Sequence, residues 1–274
     1  MPPYGRLLDM RIQSATEPGT QGLPNEDFAA VATPTEVGEG ALVVLDGVTA
    51  PSAEFGCEHG VAWFSARLGG TLLRTLATAP ALSLSDSLAH AVARTADAHR
   101  ATCDLSHRRT PQATVVCARW DAERVEYLVL SDSVLLVEGP TGLVRPVLDT
   151  RLDQLRPLAR RLPRAARADF VEGLRNAPDG FFTAAADPAV SERAVVGALP
   201  RARVRTLAAF TDGVGRWAET FGLGDWPALL DALARKGPSG VIAEVRAAES
   251  ADPDGAVFPR GKTHDDATAV LVTL

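Results

Sequence analysis

Hydrophobic positions along this chain fall into short runs of strand length, separated by longer stretches in which they recur every three or four residues. Leu7–Ile12 reads as a first strand, and the Gly- and Pro-containing loop Glu17–Pro24 leads into a second over Phe28–Thr33. After the turn Glu36–Gly40 comes Ala41–Leu45, an unbroken aliphatic run that predicts a buried strand. The short connections predict antiparallel pairing. From Glu54 to Thr78 the spacing becomes helical, with Val61, Phe64, Leu68, Leu72 and Leu76 on one stripe and Pro80 closing the segment. A second helix is predicted over Ser85–Cys103, with Leu88, Val92 and Thr95 turned inward.

Strands return over Ala113–Trp120, Val125–Leu130, Val134–Glu138 and Leu143–Val147, a meander with turns at short intervals. The stretch from Asp149 to Pro200 differs: it is rich in Arg and Ala and punctuated by Pro. Leu152, Leu155, Leu158 and Leu162 suggest one helix there, and Ala165–Arg175 a second. It is too short to own a core, so it reads as a helical insertion on the sheets and not as a separate domain. Beyond it lie a strand over Val204–Phe210, helices over Trp226–Lys236 and Gly240–Ala248, and a last strand over Ala267–Leu274. Asp225 is placed to cap the first of these helices, with Pro227 in its first turn. Helix pairs after antiparallel strands predict helices packed on sheet faces, within one domain over 1–274.

Composition narrows the functional classes. A 274-residue chain that is 46% hydrophobic can bury a sizeable core, and a formal net charge of -6 disfavours general nucleic-acid binding. No apolar run approaches bilayer-spanning length and the N-terminus lacks signal-peptide order, so the expectation is a cytoplasmic protein without a membrane partner. Cys57, Cys103 and Cys117 are widely spaced and odd in number, which predicts buried free thiols and neither a disulfide framework nor a zinc pattern. His59 is expected on a helix surface or at a cap, and the four Trp residues in the core or on helix faces.

The candidate chemistry sits where strands begin or end. The run Ala41–Leu45 ends in Asp46-Gly47, Val204–Phe210 leads to Thr211-Asp212-Gly213, and Asp265-Asp266 precedes the last strand. One Asp at such a junction is ordinarily a turn or cap residue. Three in one chain favour a metal site, because clustered carboxylates repel unless a cation neutralises them, and oxygen ligation suits Mg²⁺ or Mn²⁺. Gly255–Thr263 is no P-loop: it has Pro259 inside, a residue too many between its glycines, and an Asp pair and strand after it in place of a helix. An aspartyl-nucleophile phosphatase is excluded because the positions flanking Asp46 at two residues are Val44 and Val48.

Taken in order, Asn25-Glu26-Asp27, Asp46-Gly47, Ser131-Asp132-Ser133, Thr211-Asp212-Gly213 and Asp265-Asp266-Ala267-Thr268 resemble the signatures of the PPM (PP2C-type) metal-dependent protein phosphatases. The likeness runs from Asn25 to the last strand. It implies an α+β fold, a four-layer α-β-β-α sandwich of two antiparallel sheets flanked by helix pairs, around a binuclear Mn²⁺/Mg²⁺ centre. Asp46 matches the carboxylate bridging both ions and Gly47 a carbonyl ligand of one; Asp212 and Asp265 match ligands of the other. Asp27 matches a residue that holds metal-bound water, and Glu26 is the second candidate there. Asp132 with Asp212 matches a third, weaker metal site. The catalytic set implied is Asp27, Asp46 and Asp212, and Asp149–Pro200 takes the place of the family's variable flap.

The implied reaction is attack on a phosphate monoester by water that two divalent ions activate, with no protein nucleophile. A phosphoserine- or phosphothreonine-protein is the expected substrate; a small phosphorylated metabolite, or a pseudophosphatase acting as a binding module, are the alternatives. Several positions depart from the family pattern. Gly22 stands where many members carry a phosphate-gripping Arg, with Arg6, Arg11 or an Arg of the insertion as candidates to replace it. Val48 replaces a His, Ser131 a Gly, and Asp266 an Asn. His264, beside Asp265, is a candidate to support the site from behind.

Overall fold

Residues 10–33, 38–49 and 56–274 are described by the computed structural model. Arg6, Leu7–Asp9 of the expected first strand, Glu36, Glu54 and Phe55 lie outside them. The chain runs β1 (Arg11–Glu17), β2 (Phe28–Ala32), β3 (Gly40–Leu45), α1 (Val61–Thr78), α2 (Leu84–His99), β4 (Val115–Trp120), β5 (Arg124–Leu130) and β6 (Val134–Glu138). It continues β7 (Val144–Val147), α3 (Arg151–Arg160), α4 (Arg164–Gly173), β8 (Val195–Pro200), β9 (Thr206–Phe210), α5 (Asp212–Glu219), α6 (Trp226–Ala251) and β10 (Ala267–Thr273). Two five-stranded sheets result, ordered β1-β10-β9-β6-β7 and β2-β3-β4-β5-β8, with every pairing antiparallel.

Strand pleat sorts the apolar side chains into three layers. On β3, Ala41, Val43 and Leu45 face α1 and α2, joining Phe64, Leu68, Leu72 and Leu88. Leu42 and Val44 face the opposite way, meeting Leu207, Ala209, Val270 and Val272 of the other sheet. Ala208 and Phe210 of β9 turn outward to α5 and α6, against Val214, Leu229, Leu233 and Val245. Central strands with both faces covered must be apolar along their length, which is why Ala41–Leu45 and Leu207–Phe210 read as continuous runs. The arrangement is helix pair, sheet, sheet, helix pair, as expected. Each fully buried Leu or Val contributes roughly 1.5–3 kcal/mol. No helix among the described residues is long and apolar enough to cross a membrane.

Several elements differ from the sequence expectation, each for a local reason. β1 lies later, over Arg11–Glu17; it is an edge strand held by backbone pairing to β10, so its side chains can be polar. α1 begins at Val61 and not at Glu54, because Gly56 has φ 73 and Gly60 is extended at the N-cap. α2 stops at His99, and Ser83, not a later residue, caps it through the Asp86 N–H. The stretch 149–200, expected as a helical insertion, is helical over α3 and α4, but its last residues form β8, paired with β5. Phe181, Phe182 and Ala184 of the same stretch are buried, Phe182 and Ala184 in the layer beneath α2. α5 has no counterpart in the hydrophobic pattern. The two last helices are one kinked span, bent at Gly237 (φ 74) before Pro238, and Asp225 caps it as expected by accepting from Ala228 N at 3.0 Å.

Candidate active site

Register brings the acid-bearing junctions to one end of the sandwich. Phe28 pairs with Leu45, so Asp27 and Asp46 flank the same end of neighbouring strands. Val115 pairs with Leu130, placing the Ser131–Ser133 turn there too, and Phe210 pairs with both Val134 and Ala269. Asp46 is pinned by Thr114 on both sides: Asp46 N donates to Thr114 Oγ1 (3.1 Å) and Thr114 N to the Asp46 carbonyl (2.9 Å). The same Thr114 hydroxyl lies 2.6 Å from Ser133 Oγ, tying in the turn that carries Asp132. Thr211 Oγ1 accepts from Thr268 N (3.1 Å) and donates to Asp27 Oδ2 (2.9 Å), so one hydroxyl couples the two sheets across the site.

The glycine after each Asp has a packing reason beyond any ligand. A Cβ on Gly47 would stand 2.4 Å from the Glu26 carbonyl oxygen, and one on Gly213 only 1.9 Å from the Asp266 carbonyl oxygen. Removing the side chain is what lets these backbones pass, and that passage sets how close Asp46 comes to Glu26-Asp27 and Asp212 to Asp265-Asp266. Asp212 itself opens α5, with Thr211 at the N-cap, so the helix starts at the acid.

Partial burial and the carboxylates around them raise the proton affinity of several of these acids. Burial, then Asp212, Asp27, Asp265 and Asp132, push the Asp46 carboxyl well above the usual carboxylate range. Burial pushes Asp27 up to about 8, against hydrogen bonds from Thr268 and Thr211. Asp212 is raised by burial and then by Asp132, and lies within hydrogen-bonding reach of Asp46. Asp265 is raised by burial and by Asp212, and Glu26 by burial. The expected Asp27, Asp46, Asp132, Asp212 and Asp265 therefore converge on one shared electrostatic environment. Their donors are all oxygen and their charges are mutually repulsive, which is the donor chemistry that Mg²⁺ or Mn²⁺ satisfies.

Protein cations reach part of this cluster. Arg216 Nη2 donates to Asp265 Oδ2 (2.7 Å) and Lys262 Nζ to Asp265 Oδ1 (2.6 Å). Behind them Arg216 Nη1 donates to Glu249 Oε1 (2.6 Å), Arg246 Nη1 donates to Glu249 Oε2 (2.7 Å), and His264 Nδ1 lies 2.8 Å from that oxygen. His264 thus supports the site from behind, through Glu249 and not through Asp265 directly. Lys262 also donates to Thr49 Oγ1 (2.9 Å), whose hydroxyl bonds Glu26. Burial opposes its charge, yet Asp265, Asp46 and Asp212 outweigh that and raise its pKa.

Sequence reasoning missed Lys262, which stood only in a rejected P-loop, and Arg216, Glu249 and Arg246, which carry no motif. It also missed what Asp266 does: its two oxygens accept from Gly19 N and Glu26 N, each at 2.7 Å, so it clamps the backbone beside Asp27. Arg11 opens β1 opposite Thr273, at the far end of the strand from the carboxylates, and is no substitute for the absent phosphate-gripping Arg.

On the flank nearest the insertion, Arg156 Nη2 of α3 lies 3.6 Å from Asp132 Oδ2. Glu219, at the end of α5, is pushed up to about 7 by burial, with Arg156 opposing and Asp153, Asp132 and Asp212 adding to the rise. Ser131, where the family pattern has Gly, adopts φ 69. A Cβ in this left-handed region costs about 1–2 kcal/mol. Asp149 Oδ2, which accepts from Ser131 N at 2.9 Å, holds the turn in place.

All three cysteines are free thiols, as expected, but Cys57, Cys103 and His59 are only half-buried and gather on the neighbouring face of α1 and α2. Cys117 is buried in β4, as anticipated. Cys57 and Cys103, however, are 2.8 Å apart, and His59 and His99 lie against them. His59 precedes α1 and stacks on Trp63, with ring centroids 4.1 Å apart. The spacing in sequence concealed this, because the group is assembled from two segments over forty residues apart.

A family model described as Protein phosphatase 2C matches residues 19–236. No curated protein sequence matches the chain. Among solved structures, it is similar to the serine/threonine phosphatase of S. agalactiae, at TM-score 0.62 and 14% identity, covering 97% of this chain and 99% of that one. It is similar to the serine/threonine phosphatase Stp1 of Staphylococcus aureus at TM-score 0.59 and 12% identity, covering 97% and 95%. The serine-threonine phosphatase 2C of Toxoplasma gondii gives TM-score 0.59 and 12% identity, covering 96% and 94%. At these identities the structural likeness shows the fold.

Proposed function

Because the chain belongs to the protein phosphatase 2C family, we propose that it is a metal-dependent phosphomonoester hydrolase acting on phosphoserine or phosphothreonine in proteins. The observation that carries the reading is the convergence of Asp27, Asp46, Asp132, Asp212 and Asp265 into one cluster, in which burial and neighbouring carboxylates raise the proton affinity of Asp27, Asp46, Asp212 and Asp265. Asp46, the Gly47 carbonyl, Asp212 and Asp265 would hold two Mg²⁺ or Mn²⁺ ions, and Asp132 with Asp212 a third. Bound there, such ions would supply Lewis-acid activation of water and neutralise phosphoryl charge.

The chain's own residues position this chemistry. Thr211 orients Asp27, which would hold the attacking water and, once bound cations had lowered its proton affinity, accept the water's proton. Arg216 fixes the Asp265 carboxylate, and Asp266 fixes the backbone from which Glu26 and Asp27 project. Lys262, half-exposed and bonded to Asp265, is placed to take the phosphate-gripping part, and Arg156 of the 149–200 stretch, beside Asp132, is the Arg placed to share it. Site assembly needs no protein nucleophile, in keeping with a chain whose cysteines lie elsewhere.

A second reading, a weak or inactive family member serving as a binding module, is favoured by one feature: both Asp265 oxygens already accept hydrogen bonds from Arg216 and Lys262. Release of phosphate from a phosphothreonine peptide and from p-nitrophenyl phosphate, with Mn²⁺ or Mg²⁺ and with EDTA, separates the two. Cation-dependent turnover that Asp46→Asn abolishes supports the hydrolase. Equal background rates in wild type and Asp46→Asn, with no calorimetric Mn²⁺ binding, support the binding module. Preference for small phosphate esters over the peptide would move the substrate to a metabolite.

A further inference from the structure

We propose that Cys57, His59, His99 and Cys103 form a closed, structural Zn²⁺ site, separate from the carboxylate cluster, that staples the segment entering α1 to the end of α2. Among the described residues this is the group of His, Cys, Asp and Glu side chains whose ligand atoms all lie within 4.8 Å of one another. A tetrahedral zinc with Zn–S of about 2.3 Å and Zn–N of about 2.0–2.1 Å separates its ligands by roughly 3.3–3.8 Å. Cys57 Sγ lies 3.4 Å from His99 Nδ1 and 3.8 Å from His59 Nδ1, and Cys103 Sγ lies 3.4 Å from His59 Nδ1. The two sulfurs, 2.8 Å apart, are too distant for a bond of about 2.05 Å and open by about 1 Å to admit the ion.

The surroundings suit thiolates around a cation. Glu58 N donates to Cys103 Sγ (3.3 Å) and His59 N to Cys57 Sγ (3.4 Å), backbone donors that stabilise charge on sulfur. His99 is 2% exposed, and its Nε2 has no hydrogen-bond partner, so the polar contact of this buried ring is the Nδ1 edge facing Cys57. Trp63 covers the cluster, its ring 4.1 Å from His59 and 5.3 Å from His99. Binding releases one proton from each thiol, and two thiolates with two neutral imidazoles leave the site uncharged overall. Four protein ligands leave no open position for a substrate, so the role is structural.

Its place gives it work to do. His99 is the last residue of α2, Cys103 lies in the turn beyond, and Cys57 and His59 end the connection that leaves Asp46-Gly47. The same connection is held once more where Asp104 N donates to the Gly56 carbonyl (2.7 Å). Zinc here would fix the residues that lead into α1.

The test is metal analysis of the whole protein, purified anaerobically without chelator and loaded with Zn²⁺ before desalting. Wild type and Asp46→Asn are each expected to retain about one zinc per chain, and Cys57→Ser/Cys103→Ser less than about a tenth of that. Because Asp46→Asn disables the carboxylate centre, failure of the phosphatase reading leaves this result untouched. Cobalt in place of zinc should give thiolate-to-metal charge transfer and tetrahedral d–d absorption in wild type. Should the double Cys variant not fold, His59→Gln, altering a half-buried side chain, is expected to weaken retention and shift the cobalt spectrum. Absence of retained zinc and of cobalt bands in wild type would overturn the proposal. So would equal zinc in the variants, or recovery of a Cys57–Cys103 disulfide from the anaerobic preparation.

Discussion

Asp27→Asn should make the metal-free protein more stable. Burial raises the Asp27 carboxyl from its ordinary 3.8 to about 8, so between those values the folded chain binds more protons than the unfolded one. Stability then falls as pH rises through that window, because ionising the buried acid opposes folding. At about 1.4 kcal/mol for each tenfold change in proton affinity, the full effect is on the order of 6 kcal/mol. Water and backbone relaxation around a half-buried group reduce it to ~3 kcal/mol. Asn carries no charge, and its amide oxygen can still accept from Thr211, so the variant escapes this loss. In a chain of this length ~3 kcal/mol corresponds to a rise in Tm of ~5 °C. Calorimetry in EDTA at about pH 8 and about pH 4 measures it; the gain should be present at the higher pH and vanish at the lower one. Mg²⁺ or Mn²⁺ should reverse the order by stabilising wild type more. A variant less stable than wild type in EDTA at about pH 8, or a gain independent of pH, would refute the charge-cluster argument.

Arg216→Ala removes the guanidinium shared by Glu249 and Asp265, which keep Arg246, His264 and Lys262, and should cost about 1.5–3 kcal/mol in urea unfolding. Arg216→Lys should not restore it, since one ammonium cannot replace a fork that spans both carboxylates. Ser131→Gly should stabilise by about 0.5–1 kcal/mol, the left-handed strain relieved less the added freedom of the unfolded chain, read from the shift in the urea midpoint. Lys262→Ala should keep the fold but raise KM for a phosphorylated peptide by about tenfold, about 1.4 kcal/mol of lost binding, in steady-state kinetics. An unchanged KM would remove Lys262 from the phosphate-gripping part.

What the sequence determined was the alternation of buried strands with helix pairs and the acids at their junctions. Ala41–Leu45 had to be apolar throughout because β3 is covered on both faces, and the first polar residue after it, Asp46, had to lie at the sheet's end. Such constraints act over a few neighbouring residues, and they leave a visible trace. β1 left none, since an edge strand is held by backbone pairing whatever its side chains. Asp266 stood in the sequence only as a departure from the family's Asn, but the turn aims its oxygens at the backbone N–H groups of Gly19 and Glu26, some 240 residues earlier. Lys262, Arg216 and Glu249 acquire their roles only where α5, α6 and the loop before β10 meet. Cys57 and His59 join His99 and Cys103 only because α1 and α2 pack side by side. Local pattern fixes which stretches are buried and where charge must emerge. Which charges and thiols then face one another depends on chain closure over long separations, and only the folded structure decides that.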